Sequence, residues 1–184
     1  MEVDLSKFDA GKNLDRGKSK YVEGFWYVIK ILFFLSAFPW PNILKRRILI
    51  FFGAKIGKQV IIKPRVNIHF PWKLEIGNNS WIGEEVFILN FELIRIGDNC
   101  CISQRSFLCG GNHDYRDPTF KYKNEPINIK KGVWVGAQSF VGPGVVINDN
   151  AVITAGSIVL KNQPAQKICS GNPCKPIKDR WNNL

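Results

Sequence analysis

Two histidines are the only side chains in this sequence whose unperturbed pKa lies near neutral pH, so they are the first candidates for proton transfer. His113 follows Gly110 and Gly111, which allow a backbone or a ligand to approach closely, and we expect it on an exposed loop. His69 precedes the bulky segment 70–72 and is expected to be structural, packed against the N-terminal part of the chain. An exposed imidazole suits a general base. His113 is therefore the candidate catalytic residue, and the alternative is a surface histidine without a role.

The cysteines predict neither a disulfide framework nor a zinc site. Their number is odd, five, and they stand at positions 100, 101, 109, 169 and 174 without a C-x-x-C pair. Free thiols are typical of reducing compartments. The N-terminus also lacks the basic segment, apolar stretch and cleavage site of a secretory signal. We therefore expect a cytoplasmic protein with reduced cysteines and no metal.

The net charge of +11 at pH 7 predicts an anionic partner. A nucleic acid, an acidic membrane surface and a small molecule that carries phosphate all fit this charge. The sequence has no aromatic RNA-recognition motif and no element shaped for a nucleic-acid groove. We therefore expect no nucleic-acid partner.

Aliphatic residues recur every six positions over most of the chain, which is the period of neither a helix face nor an ordinary strand. The series comprises Ile56, Ile62, Ile68, Ile76, Ile82, Ile88, Ile96, Ile102, Leu108, Ile129, Val135, Val141, Ile147, Ile153 and Val159. A small or β-branched residue follows most of them four positions later, and glycine often follows directly, as at Gly57 and Gly77. This pattern predicts a chain that turns a corner every six residues. We expect the aliphatic residue inside, the small residue at the corner, and glycine to supply the corner dihedral angles.

The period therefore predicts an all-β fold, a parallel β-helix of about five triangular coils that start at Ile56, Ile76, Ile96, Ile129 and Ile147. An antiparallel β domain would instead show period-two alternation with regular turn signals. The predicted organisation is an N-terminal extension at 1–20, a helical cap at 21–55, the β-helix at 56–164, a projecting loop at 109–128 and a C-terminal tail at 165–184. The loop carries His113.

The N-terminal segment 21–52 is apolar and rich in aromatic residues. Glu23 and Lys30 interrupt it, so its uncharged run is too short to span a bilayer. Because a solenoid end exposes unpaired strand edges, we expect this segment to cap the prism. Its aromatic residues are accompanied by cations at Lys18, Lys20, Lys30, Lys45, Arg46 and Arg47. These cations also predict weak, salt-sensitive peripheral contact with the inner face of an anionic membrane.

The motifs that accompany the repeat resemble those of the hexapeptide-repeat acetyltransferases, which are left-handed parallel β-helices. The resemblance covers nearly the whole chain and rests on the segments 52–57, 71–77, 101–104, 112–115, 155–157 and 171–173. Within the family, the sequence is most similar to the colanic acid biosynthesis acetyltransferases and is related to the galactoside, maltose and nodulation-factor branch. The resemblance implies an acetyl-CoA-dependent O-acetyltransferase that acetylates a sugar hydroxyl in surface-polysaccharide or exopolysaccharide biosynthesis. It also implies a homotrimer that binds acetyl-CoA between its subunits.

The resemblance implies roles on the acceptor side of the site. His113 matches the catalytic histidine, and Asn90 matches the residue that helps to place the acceptor hydroxyl. The alternative for Asn90 is a corner residue bonded to its own backbone. Asp114 stands where the galactoside and maltose branches have proline, so their acceptor preference is not carried over.

On the donor side, Trp134 matches an aromatic residue that borders the pantetheine arm, with packing at the trimer interface as its alternative. The backbone amides of Ala137 and Ala155 match positions that meet the cofactor, and one near Ala137 could bind the oxyanion. Positions near the adenosine phosphates are matched by Lys161, Lys175 and Lys178, which could equally be solvated surface residues.

Three other functions compete with this one. The γ-type carbonic anhydrases share the architecture but build a zinc site from three histidines, whereas this chain has two. A non-catalytic binding or scaffold solenoid would be favoured if His113 were buried or turned away from the subunit groove. An acyl transferase that uses another acyl donor, such as an acyl carrier protein, is the third alternative.

Overall fold

The computed structural model describes residues 2–12 and 14–181, in which two helices precede a parallel β-helix. The remaining positions belong to the predicted extension and tail and lie outside the described residues. The helices are α1 (Lys20–Phe33) and α2 (Asn42–Phe51), with short 3-10 helices at Leu5–Lys7 and Pro71–Lys73. Among the described residues, no helix has both the length and the apolar character needed to cross a membrane. All five cysteines are free thiols.

Three parallel sheets form the walls of a triangular prism. Wall 1 contains β1 (Lys55–Ile56), β4 (Leu74–Ile76), β7 (Ile94–Ile96), β10 (Ile127–Ile129) and β13 (Val146–Ile147). Wall 2 contains β2 (Ile61–Ile62), β5 (Trp81–Ile82), β8 (Cys101–Ile102), β11 (Trp134–Val135), β14 (Val152–Ile153), β16 (Lys167–Ser170) and the antiparallel β17 (Lys175–Asp179). Wall 3 contains β3 (Asn67–Ile68), β6 (Phe87–Leu89), β9 (Phe107–Cys109), β12 (Phe140–Val141) and β15 (Ile158–Val159).

The register of the walls follows the six-residue repeat. In wall 1, Ile56 pairs with Ile76, which pairs with Ile96, and the ladder continues through Ile129 to Ile147. Every aliphatic residue of the repeat is buried in one continuous core. The predicted fold class is therefore confirmed, with five coils at the predicted positions.

The corners correct part of the role predicted for glycine. Gly132, Gly144 and Gly156 do supply left-handed corner angles, but the glycine directly after the aliphatic residue does not. The left-handed backbone conformation falls three positions after the buried aliphatic residue, at residues such as Asn79 (φ 56°) and Gln138 (φ 59°). The glycine directly after the aliphatic residue is needed for space instead. A Cβ atom on Gly77 would lie 2.5 Å from the Asp98 nitrogen, and one on Gly57 would lie 2.7 Å from the backbone of the next coil. Glycine therefore allows stacked coils to approach each other.

The first coil leaves an edge of unpaired backbone carbonyls on all three walls, and one side chain of the helical cap donates to two carbonyls on each wall. Arg46 donates to two carbonyl oxygens at the edge of wall 1, at 2.6 and 3.0 Å. Lys45 Nζ donates to two on wall 2, at 3.0 and 3.2 Å. Trp26 Nε1 donates to two on wall 3, at 3.0 and 3.2 Å. Buried backbone acceptors need such partners, so these three side chains fix the cap to the prism.

The cap also closes the apolar core. Trp26, Phe34, Leu49 and Phe52 are buried and join the cluster formed by the aliphatic residues of the prism. Their burial covers the core at the end of the solenoid, where no further coil is stacked.

Candidate active site

His113 lies in the segment 110–126, which connects β9 on wall 3 to β10 on wall 1. The segment folds back on itself, because His113 forms an antiparallel bridge with Tyr122. Next to this bridge, the Asp114 amide donates to the Lys121 carbonyl at 2.9 Å, and the Lys123 amide donates to the Asn112 carbonyl at 2.8 Å. The loop is thus a short hairpin that holds His113 outside the prism.

Aromatic rings surround the imidazole of His113. The Phe120 ring stacks on it with a centroid distance of 4.2 Å and an interplanar angle of 11°. Tyr122 lies at 4.8 Å, tilted by 31°, and Phe8 lies at 5.4 Å. His113 is half-buried, and it also lines an open cavity of about 210 Å³ with neighbouring loop residues. The rings fix the plane of the imidazole while one side stays open.

A backbone hydrogen bond assigns the protons of this imidazole. His113 Nδ1 lies 2.6 Å from the carbonyl oxygen of Phe120. Because a carbonyl oxygen only accepts hydrogen bonds, Nδ1 must carry a proton and donate it. In the neutral ring Nε2 then has the free lone pair. Nε2 is therefore the nitrogen that can accept a proton from a substrate hydroxyl.

The turn that ends at Phe120 orients the Phe120 carbonyl toward His113 Nδ1. Phe120 adopts the left-handed conformation with φ of 54°, which is uncommon for a bulky residue. Asp117 holds the turn by accepting hydrogen bonds from Thr119, at 2.8 Å from its amide and 2.7 Å from its hydroxyl. Asp117 also pairs with Lys121 at 2.8 Å. The hydrogen bonds from Lys121 and Thr119 lower the pKa of Asp117 to about 2, so it stays a charged acceptor in neutral solution.

The N-terminal segment completes one side of the site, which the sequence analysis did not predict. The Asp4 amide donates to the Pro118 carbonyl at 2.9 Å. Phe8 packs edge-on against Tyr122 at 5.2 Å as well as against His113. These contacts join residues more than 100 positions apart in the chain, so no local pattern signals them.

The second histidine belongs to the prism. The rings of Phe70 and Phe91 pack against His69 with centroid distances of 4.4 and 4.8 Å. Burial lowers the pKa of His69 to about 4, and the positive charges of Lys30 and Arg16 add to the shift. His69 is therefore neutral and packed near the cap, as expected of a structural residue.

Asn90 is placed differently from the role that the family resemblance implies. Its side chain is fully buried. The Asn90 Oδ1 accepts from the Phe70 amide at 2.9 Å, and its Nδ2 donates to the carbonyl oxygens of Phe70 and Lys73. All its polar atoms thus serve the corner of the preceding coil. This geometry favours the structural alternative over the placement of an acceptor hydroxyl.

The donor-side residues lie along walls 2 and 3. Trp134 points outward from β11, about half exposed, and its Nε1 donates to the Ser103 hydroxyl at 2.9 Å. Ala137 and Ala155 occupy the same corner in successive coils, and the Gly156 amide donates to the Ala137 carbonyl at 2.8 Å. Within the part of the chain that the structure describes, the amides of the two alanines donate to no acceptor.

Three lysines lie at the end of the prism opposite the cap. Lys161 follows β15, and Lys175 and Lys178 belong to β17. All three side chains are exposed. Residues 2–12 and 14–181 contain no group of three or more His, Cys, Asp or Glu side chains that could hold a metal ion.

In one chain, His113 and the two alanines lie at different corners of the prism. The His113 hairpin leaves the prism at the corner between walls 3 and 1, whereas Ala137 and Ala155 lie at the corner between walls 2 and 3. Wall 3 separates the two corners, and a wall of about six residues is about 15–20 Å wide.

Known acetyltransferases resemble this chain in sequence and in structure. No family model matches the sequence. A protein of Escherichia coli named as the colanic acid biosynthesis acetyltransferase WcaF is 40% identical over 180 residues, which is 96% of this chain and 97% of that protein. The structure of a galactoside acetyltransferase in complex with coenzyme A superposes with a TM-score of 0.79, 25% identity, and coverage of 88% of this chain and 82% of that one. A hexapeptide-repeat acetyltransferase from Vibrio cholerae, complexed with acetyl coenzyme A, gives a TM-score of 0.81 at 22% identity and covers 95% and 97% of the two chains.

Proposed function

This chain belongs to the hexapeptide-repeat acetyltransferase family, and on that premise we propose that it is an acetyl-CoA-dependent O-acetyltransferase that acetylates a sugar hydroxyl. The relative that matches over 96% of this chain is named for colanic acid biosynthesis, which supports a role in exopolysaccharide or surface-polysaccharide biosynthesis. The galactoside acetyltransferase bound to coenzyme A supports the choice of acetyl donor.

The observation that carries the proposal is the hydrogen bond between His113 Nδ1 and the Phe120 carbonyl. It leaves Nε2 as the proton acceptor. His113 Nε2 takes the proton of the acceptor hydroxyl while the oxygen attacks the thioester carbonyl carbon. The tetrahedral intermediate then collapses, the carbon–sulfur bond breaks, and the imidazolium returns its proton to the sulfur of coenzyme A.

The donor side supplies binding and electrostatic stabilisation. The free amide of Ala137 is proposed to donate to the oxyanion of the tetrahedral intermediate, and that of Ala155 to the pantetheine arm. The indole of Trp134 borders the same arm, because it points outward from the neighbouring strand. The adenosine phosphates are assigned to Lys161, Lys175 and Lys178, whose exposed ammonium groups offer opposite charge.

The separation of the two sides supports a homotrimer. In a cyclic trimer, the corner that carries His113 in one chain can face the corner that carries Ala137 in its neighbour. Each of the three grooves then contains one complete set of residues. The proposal predicts that the purified protein is a trimer.

The proposed location is the cytoplasm, where acetyl-CoA is available and free thiols such as those of this chain persist. We also propose peripheral contact with the inner face of the membrane, because the helical cap exposes many apolar side chains.

The test is acetyl-CoA turnover, followed by thiol release, against a panel of glycosides with the acetylated position mapped in the product. His113→Ala should lower turnover by at least about a hundredfold, as expected for the loss of a general base. His69→Gln is the matched control and should keep most of the activity, since His69 is neutral and its ring contacts Phe70 and Phe91 rather than His113.

Near-normal turnover by His113→Ala would contradict the assigned base. Absence of turnover by the wild-type protein with every glycoside, together with binding of acetyl-CoA, would point to another acceptor class. Failure to bind acetyl-CoA at all would favour a binding solenoid or a different acyl donor.

A further inference from the structure

Helix α1 presents an apolar stripe to the outside of the molecule. Tyr21 is 91% exposed, Phe25 54%, Val28 53% and Leu32 53%. Their spacing of four, three and four residues places them on one side of the helix. The outward side of a helix at the surface of a globular protein normally carries polar and charged residues. This helix shows the reverse arrangement.

Several charges of the cap are directed inward. Lys30 is only 6% exposed and lies over the Tyr27 ring at 4.9 Å, and Lys45 is completely buried. Burial lowers the pKa of both lysines. Glu23 of α1 pairs with Arg16 at 3.1 Å and is mostly covered. The hydropathy of this segment therefore underestimates how apolar its outer surface is.

The stripe continues into a groove between the two helices. Phe25 and Phe33 of α1 face Phe51 of α2 across this groove, and among the described residues that line it Arg47 alone is charged. Phe51 is 77% exposed. We call Tyr21, Phe25, Val28, Leu32 and Phe51 the cap face. An exposed apolar surface that extends over two helices marks an interaction site.

The charge around the cap face indicates its partner. Of the six cations predicted to face a membrane, Lys30, Lys45 and Arg46 are directed into the molecule, which corrects that prediction. The other three are exposed: Lys18 and Lys20 at the start of α1, and Arg47 in the groove. Apolar and aromatic side chains bordered by exposed cations fit an anionic bilayer, with the apolar part in the acyl boundary and the cations at the headgroups.

The dimensions fit a helix that lies in the membrane plane. With 14 residues, α1 is about 21 Å long, which is shorter than the hydrocarbon core of a bilayer. The cap closes one end of the prism, and a cyclic trimer would carry all three caps at the same end. Three weak sites would then bind one surface together, which strengthens attachment without new contacts.

We propose that the cap face docks on an anionic phospholipid bilayer and holds the prism upright on it, with the end that carries β16 and β17 away from the lipid. This proposal specifies which surface makes the membrane contact suggested above. It depends on the proposed function only in assuming that the protein is a trimer. The His113 hairpin leaves the third coil, so it stands about 10 Å, or two coil spacings, above the first coil. An acceptor anchored in the same bilayer could reach it.

The experiment is co-sedimentation of the full-length protein with vesicles of phosphatidylcholine alone or with about a third phosphatidylglycerol, at low and high salt. The wild-type protein should bind the anionic vesicles, and salt should weaken the binding. Val28→Asp/Leu32→Asp should bind at least about tenfold more weakly, because two inserted apolar side chains become charged. Val3→Asp/Leu5→Asp is the matched control, since it makes the same changes at exposed positions outside the cap and should bind nearly as wild type.

Vesicle binding and turnover, measured on the same variants, distinguish a failure of this proposal from a failure of the proposed function. Val28→Asp/Leu32→Asp should keep its thermal stability and its turnover with a soluble glycoside, whereas His113→Ala should keep vesicle binding and lose turnover. Absence of wild-type binding to anionic vesicles at low salt, or unchanged binding by Val28→Asp/Leu32→Asp, would overturn the docking proposal. A change in oligomeric state without a change in vesicle binding would show that the cap face binds another copy of the chain instead.

Discussion

At the scale of single residues, the chemistry of the site depends on how one imidazole is held. The backbone of Phe120 selects the tautomer of His113 and its ring sets the imidazole plane, so one residue supplies two constraints. The sequence predicted His113 because histidine in a glycine-bordered loop is a distinctive signal. It did not predict Phe120, because neither a left-handed phenylalanine nor a carbonyl contact seven residues away has a sequence signature. For Asn90, the sequence did not reveal that its side-chain amide is fully bonded at a corner of the prism.

Phe120→Ala tests whether the ring positions the base. We expect kcat to fall about ten- to a hundredfold with the KM for acetyl-CoA nearly unchanged, because a misoriented base affects the chemical step and not donor binding. Steady-state kinetics measures both constants. Phe120→Tyr is the control that keeps the stacked ring and should retain most of kcat. Equal kcat values for Phe120→Ala and the wild-type enzyme would show that the stack has no role in positioning.

At the scale of elements, the six-residue period was enough to predict the three walls. It did not predict the backbone conformation at the corners or the contacts of the cap. Ile56 to Val159 stand where they were predicted, because each wall must direct one aliphatic residue inward. The left-handed residues at the corners were missed since several are glutamine, arginine or glutamate, which do not signal that conformation. The buried position of Lys45 was unpredictable for a related reason. A lysine is expected at the surface unless unpaired carbonyl groups at a strand edge accept hydrogen bonds from its ammonium group, as they do here.

The cap contacts yield a stability prediction. Trp26→Phe removes the donor to the wall 3 edge while it keeps most of the apolar contact, and should lower the free energy of unfolding by about 1–3 kcal/mol. Urea unfolding followed by circular dichroism measures this change. Trp40→Phe is the matched control, because the Trp40 indole bonds only within the cap, to Leu32 and Ser36. If the two substitutions destabilise the protein equally, the Trp26 hydrogen bonds to the edge of wall 3 contribute no more to stability than hydrogen bonds within the cap.

At the scale of the whole molecule, one chain presents His113 and the alanine amides at different corners of the prism, and we propose that a neighbouring chain joins them. The sequence alone supplied the trimer only through family resemblance. The structure adds a physical reason, because the His113 hairpin and the alanine amides leave the prism at different corners of one chain. The cap face lies at one end of the prism, and Lys161, Lys175 and Lys178 lie at the opposite end. The assembly would therefore face a membrane on one side and the phosphates of its donor on the other.

The measurement that tests the shared site most directly is the activity of mixed trimers made from two defective chains. His113→Ala removes the base, and Ala155→Asp places a charged side chain at the exposed corner assigned to the donor. Each homotrimer should be inactive. Co-expressed at equal amounts, half of the grooves receive an intact His113 and half an intact Ala155, so about a quarter of the grooves should be complete and active. Mixed trimers with no more activity than the two separate homotrimers would contradict a site that is shared between chains.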